Sequence, residues 1–350
     1  MFFYYGALHD DALFINYADF YNYFVTKQSV PTNFLLLKDM GFSFFLQITN
    51  FIGFKYQDAI SLLWFFAALA TTTAFFKLTK VKKRSVWLMI YAFVLFYPSA
   101  LDYLLGVRIY RNVILIPAYI IVFNMMIMLF ARYFIDAKNN SSVGGTILFQ
   151  CVLGIVFTWV YYIKEDGIWI LACLIALSVL CLIKDLIKDC SVKNIFGCLA
   201  VLSIPFIVLG TLTHVYKSVN EHYFGVYVVN NRTEGELGRF CKLIYKIKSS
   251  ERTGKIWAPT DAILQAFNAS ATLRENDALK QGILHTPWFG GDITKSPIHG
   301  DYLTWVMHDE MAAYTKNNLV LQEEYLARVN DELEEAFAEE EPPPPGPQPP

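Results

Sequence analysis

The chain has 350 residues, of which 55% are hydrophobic and 17% charged, with a formal net charge of −2 and a mean hydropathy of +0.36. Soluble domains carry about a quarter charged residues, so a single soluble globule is excluded, and nothing in the balance favours a nucleic-acid partner. The charge is also divided: residues 1–217 hold 17 Lys+Arg against 11 Asp+Glu, and residues 218–350 hold 12 against 20. This predicts a membrane domain over 1–217, a soluble domain over 218–341, and a proline-rich tail over 342–350 with no core of its own. Cysteine indicates neither a disulfide framework nor a zinc site, since there is no C-x-x-C and Cys241 stands alone in the second domain.

Residues 1–8 lack the basic and apolar regions of a cleavable signal. His9-Asp10-Asp11 then precedes Leu13, Tyr17, Phe20, Tyr21 and Phe24 on one face, a pattern that predicts a helix lying on the membrane surface. The plainer role for Asp10 is an N-cap, and for Asp11 a first-turn acid that complements the helix dipole. A cap needs one acid, however, and two beside a histidine also suit catalysis or a divalent metal. Next, Lys38-Asp39-Met40-Gly41 interrupts an apolar run, and 41–54 is too short to span a bilayer, so it reads as re-entrant or interfacial. Lys38 either pairs within a loop or holds an anionic group where that short helix begins.

Spanning helices are expected over 59–76, 86–105, 113–130, 143–163, 168–183 and 195–215. The links after the first, third and fifth hold Lys77, Lys80, Lys82, Lys83, Arg84, Arg132, Lys138, Lys184, Lys188 and Lys193. Those after the second and fourth hold only Arg108, Arg111 and Lys164. The bias places the first set in the cytoplasm, and the N-terminal segment, the second set and the tail domain outside. Every unusual polar cluster at the membrane edge then falls on the outer side, including Asp102 near the end of the second span. Arg108 and Arg111 share a helix face; they either snorkel to head-group phosphates or grip a phosphate beside a helix N-terminus. Lys164-Glu165-Asp166 is either a polar turn between two spans or an acidic element that meets a metal or sugar hydroxyl.

In the tail domain, 223–229 is strand-like, and helical patterns follow around 239–248, 260–268 and 302–337. Trp288-Phe-Gly-Gly-Asp, His299-Gly-Asp and His308-Asp-Glu lack the spacing of a zinc motif and read as solvated loops.

The clusters together resemble the GT-C class of membrane glycosyltransferases, and within it a group of bacterial polytopic proteins. The resemblance lies in His9-Asp10-Asp11-Ala-Leu, in Leu37-Lys38-Asp-Met-Gly-Phe-Ser-Phe-Phe-Leu, in Arg108-Ile-Tyr-Arg111-Asn, in Glu165-Asp166-Gly-Ile-Trp, and in Tyr223-Phe-Gly-Val through Glu234-Gly-Glu-Leu. It implies a membrane all-α fold of about six spans, an interfacial or re-entrant segment near the N-terminus, and an α-rich extracytoplasmic domain. The implied activity is transfer of a sugar from a polyprenyl-phosphate donor to an envelope glycan or lipid acceptor at the outer face of the plasma membrane. In that scheme Asp10 or Asp11 is the catalytic base, Lys38, Arg108 and Arg111 hold the lipid phosphate, and Glu165 and Asp166 form a second acidic element. Members of the class usually have a span ahead of the acidic loop and more than six spans in all. A chain that starts eight residues before His9 therefore implies a truncated copy or an incomplete active-site wall. Lys38-Asp-Met-Gly also lacks the prolines of the corresponding run in the class. The rival reading is a non-enzymatic membrane protein whose outer domain binds envelope glycan or a partner. A transporter would need charged or broken positions inside the spans.

Overall fold

The computed structural model describes residues 14–15, 36–81, 83–101, 109–135, 143–188 and 191–338. These residues form helices, turns and loops, with no strand among them. They divide into two compact units: one holds Asp39–Val215 with Phe14 and Ile15, and the other holds 36–38 and 216–338.

The first unit begins with α1 (Gly41–Ile52), α2 (Tyr56–Thr79), α3 (Arg84–Leu95) and α4 (Arg111–Phe134), followed by α5 (Val143–Tyr161), α6 (Ile168–Lys188) and α7 (Val192–Phe224). Five of these, α2 and α4 to α7, are long and apolar enough to cross a bilayer. The chain is a multi-pass membrane protein. The expected span at 86–105 takes a different form: α3 has 12 residues, about 18 Å of helix against a hydrocarbon core of about 30 Å. Pro98 explains its end. A proline lacks the N–H that would continue the ladder and drives the preceding residue out of the helical region, and Tyr97 sits at φ −59°, ψ 142° before a 3-10 turn at Pro98–Ala100.

The core of this unit is the α2–α4 seam. Ala67, Ala68, Ala118 and Val122 are fully buried, and small side chains let two backbones approach closely where no hydrophobic effect drives helices together. Asn124 of α4 donates to Thr71 of α2 at 2.9 Å, a polar contact across the seam. Thr71, Thr72 and Thr73 each donate to the carbonyl four residues back, so no hydroxyl is stranded in the apolar layer. Large apolar side chains such as Phe65, Phe93, Leu148, Ile155, Leu180 and Ile207 face outward, the inverse of a soluble surface and suited to lipid tails.

Contacts orient the bundle. The start of α1 meets the end of α5, where Gly41 N–H donates to the Tyr162 carbonyl at 2.7 Å. The start of α2 packs there too, through Tyr56 against Phe42, and the end of α7 joins through Thr213 and Tyr162. The α4 start and the α5–α6 link complete this end. The helix termini that carry Lys77, Lys80, Lys83, Arg84, Arg132, Lys184, Lys188 and Lys193 lie at the opposite end.

The second unit takes the last turns of α7, then α8 (Gly235–Ile244), α9 (Thr260–Ala269), α10 (Ala271–Arg274), α11 (Asp277–Leu284), α12 (Leu303–Thr315) and α13 (Leu319–Ala338). Leu237, Phe240, Ile263, Phe267, Met307, Leu326 and Val329 belong to its core. The single helical pattern expected over 302–337 is broken between α12 and α13, where Lys316 and Asn317 adopt positive φ. The strand expected at 223–229 does not form. Tyr223 and Phe224 end α7, and side chains satisfy the loop beyond: Asn220 donates to the Val228 carbonyl at 2.7 Å and Glu234 accepts from Val229 N–H at 3.0 Å. His308 also departs from the solvated-loop reading, since it lies in α12 and is buried.

Two predictions follow from this packing. A Cβ on Gly41 would overlap the Tyr162 carbonyl and the Ile163 backbone, neither of which is a yielding side-chain end. Gly41→Ala should therefore destabilise the protein by about 1–3 kcal/mol, read as a lower melting temperature in detergent. The second concerns His308, whose pKa burial lowers from 6.5 to about 4. Because the unfolded chain protonates first, stability is full above pH 6.5 and is lost as pH falls towards 4, by about 3 kcal/mol at most. Melting temperatures between pH 7 and pH 4 should fall less steeply for His308→Gln than for the wild type.

Candidate functional site

The outer end expected from the charge bias corresponds to the end of the bundle where α1, α4, α5 and α6 meet. Arg111 is the first residue of α4, whose first turn contains no acid. A helix N-terminus carries partial positive charge, so a guanidinium there adds like charge to like. Glu165, in the link between α5 and α6, supplies the compensation: its Oε2 accepts from Arg111 Nη1 at 2.6 Å. Their side chains are 6% and 14% exposed, so this pair is buried. The ring of Phe14 covers the guanidinium, 5.5 Å from Cζ to centroid, a distance typical of a cation–π contact. Arg111 Nε is also buried and meets no acceptor among the described residues.

The pair is held by a short chain of contacts. Ser43 of α1 donates to the Phe14 carbonyl at 3.0 Å, and Phe14 meets Phe42 edge-on at 5.3 Å. Trp159 Nε1 of α5 donates to the Gly41 carbonyl at 3.0 Å, opposite in sense to the Gly41–Tyr162 bond. One backbone bond and one indole-to-carbonyl bond therefore clamp the start of α1 to the end of α5, and α1 in turn holds Phe14 over Arg111. None of Phe14, Gly41, Ser43, Trp159 and Tyr162 was among the residues expected to build the site. The signal for Gly41 was present, since it belongs to the Lys38-Asp-Met-Gly run.

The other expected residues are distributed as follows. Asp166 forms an ion pair with Lys164 at 2.9 Å on the exposed tip of the link, a surface contact of little energetic weight. Lys38 is buried in the second unit, its ammonium 5.0 Å from the centroid of the Trp305 ring. His9, Asp10, Asp11, Asp102 and Arg108 lie outside the described residues. The metal expected at His9, Asp10 and Asp11 falls there too; among the described residues, no group of three His, Cys, Asp or Glu side chains is arranged to hold a metal ion.

Chemically, a guanidinium with a covering aromatic ring, at the start of an apolar helix, is an anion site already occupied by a carboxylate from its own chain. A phosphate oxygen offers Arg111 the same charge in the same place, with the helix N-terminus behind it. No family model, no curated protein and no solved structure matches this chain.

Proposed function

We propose that the chain is a membrane glycosyltransferase of the GT-C kind, which moves a sugar from a polyprenyl-phosphate donor to an envelope acceptor at the outer face of the plasma membrane. The observation that carries this reading is the buried Arg111–Glu165 pair. Two residues 54 positions apart, each assigned to the site from sequence for a separate reason, meet at 2.6 Å at one end of the bundle. Phe14, three residues after Asp11 in sequence, lies over the same guanidinium. The described cationic helix ends at the opposite end support the outward orientation of this one.

In this scheme Arg111 exchanges Glu165 for the donor phosphate and stabilises the charge that builds on it as the sugar departs. A carboxylate at Asp10 or Asp11 accepts the proton of the attacking hydroxyl. Glu165, once released, faces the place where the phosphate sits, and its like charge favours product departure.

The exchange makes opposite predictions for the two members of the pair. Glu165→Gln removes the competing charge and should tighten binding of a polyprenyl-phosphate sugar. Arg111→Lys loses the guanidinium fork and should weaken it about tenfold. A purely structural pair would lower stability in both variants and leave donor affinity unchanged.

The base is tested at Asp11. A first-turn acid contributes only about 0.3–1 kcal/mol through the helix dipole, so Asp11→Asn would then leave transfer intact. A catalytic base predicts a fall in turnover of roughly 10²–10⁴-fold at unchanged membrane abundance. Sugar transfer in membranes at matched expression separates the two, and full activity in both Asp10→Asn and Asp11→Asn would remove the aspartates from the mechanism.

A further inference from the structure

The second unit carries an aromatic cluster that the transfer scheme does not use. Trp288 lies in the 3-10 turn Pro287–Phe289, and Tyr302 and Trp305 lie at the start of α12. Trp288 is 6.3 Å from Tyr302 and 6.1 Å from Trp305, centroid to centroid. Although part of a connected cluster, Trp288 remains 40% exposed and Tyr302 46%. Phe289 meets Tyr302 nearly at right angles, 5.9 Å away, and meets His299 in the same manner at 5.8 Å.

These rings are fixed rather than merely exposed. Trp288 Nε1 donates to Asp309 Oδ2 at 2.9 Å, which sets the plane of the indole. Gly290 and Gly291 turn the chain at positive φ directly after Phe289, and Gly291 N–H returns to the Thr286 carbonyl at 3.0 Å. Behind the exposed pair, Trp305 lies under the cations of Lys38 and Arg232, and Arg232 is paired with Asp301 beside Tyr302. The result is a pair of partly exposed rings, tilted 54° to one another, bordered by Asp301, Asp309, Arg232 and the exposed His299.

We propose that Trp288 and Tyr302 form a binding platform for a neutral pyranose ring of a glycan. An aromatic face is electron-rich, and a pyranose presents a face of electropositive axial C–H groups with hydroxyls around its edge. The first stacks on the rings, and the second reaches the charged rim. Other occupants fit less well. An apolar protein surface would strip water from Asp301, Asp309 and His299 without replacing their hydrogen bonds. A nucleic acid or phosphorylated glycan would meet a half of the chain with 20 acidic against 12 basic residues, whose field repels polyanions. The platform depends on neither Arg111 nor Asp11, so its failure and the failure of the transferase reading are separable.

The test uses the full-length protein in a detergent without a sugar head group, with maltohexaose and chitohexaose as probes in saturation-transfer NMR. The wild type should transfer saturation to the axial C–H protons of one or both sugars. Trp288→Ala should weaken binding about tenfold, while Trp288→Phe, which keeps an aromatic face, retains most of it. Trp257→Ala serves as the control, because Trp257 is equally exposed but stands apart against Tyr245. Absence of transfer to either sugar would overturn the proposal, as would equal losses in Trp288→Ala and Trp257→Ala.

Discussion

A guanidinium buried among apolar helices is tolerated only where an opposite charge meets it, and among the described residues Glu165 supplies that charge to Arg111. Desolvating two ions costs several kcal/mol each, and a buried pair recovers this only with good geometry. The 2.6 Å contact between Arg111 and Glu165 therefore imposes a demand on everything around it. The α5–α6 link must turn so that Glu165 points inward while Lys164 and Asp166 stay at the surface. The start of α1 must lie against the end of α5, which only a residue without a Cβ permits at position 41. Phe14 must be held by Ser43 to roof the cation. Each requirement is met by a different segment, so the pair acts as the point where four parts of the chain agree on one arrangement.

Much of the membrane unit was legible in the sequence because bilayer constraints are one-dimensional. Long apolar runs give the spans, and five appear as helices of sufficient length. The run expected over 86–105 is interrupted among its described residues, where Pro98 marks the point at which α3 has to stop; residues 102–105 lie outside the described residues. The second unit was harder to read. The β-branched run at 226–229 has local strand propensity, yet a strand needs a partner ladder, and side chains of Asn220 and Glu234 took the backbone groups instead. His308 fell within the helical pattern expected over 302–337, which the structure divides into α12 and α13, and the pattern did not say which face of α12 would be buried.

The candidate site shows the same division. Arg111 and Glu165 stood out separately as charges at the membrane edge, where a charge requires a reason. Their pairing was not legible, since it spans 54 residues and depends on how α4 approaches the α5–α6 link. Lys38 drew notice on the same grounds as Arg111, but it is buried in the second unit with its ammonium 5.0 Å from the centroid of the Trp305 ring. A single criterion, a cation beside an apolar run, thus selected two residues that lie in different units.

That difference bears on what each cation can do. A cation over an indole is stabilised by a fixed quadrupole that cannot leave, and the contribution is about 0.5–2 kcal/mol. A cation beside a carboxylate is stabilised more strongly, but by a partner on a link whose neighbours Lys164 and Asp166 lie at the surface. In the proposed function, exchanging Glu165 for a phosphate would keep Arg111 neutralised, so that the cation is not left as a bare buried charge. In the proposed exchange the helix N-terminus would favour either anion, and the Phe14 ring would cover the same cation. Arg111 Nε–H is a buried donor with no acceptor among the described residues, which a further oxygen of a bound phosphate would satisfy in the proposed exchange. A resting ion pair with a spare donor is consistent with a site whose own carboxylate holds the place of its ligand.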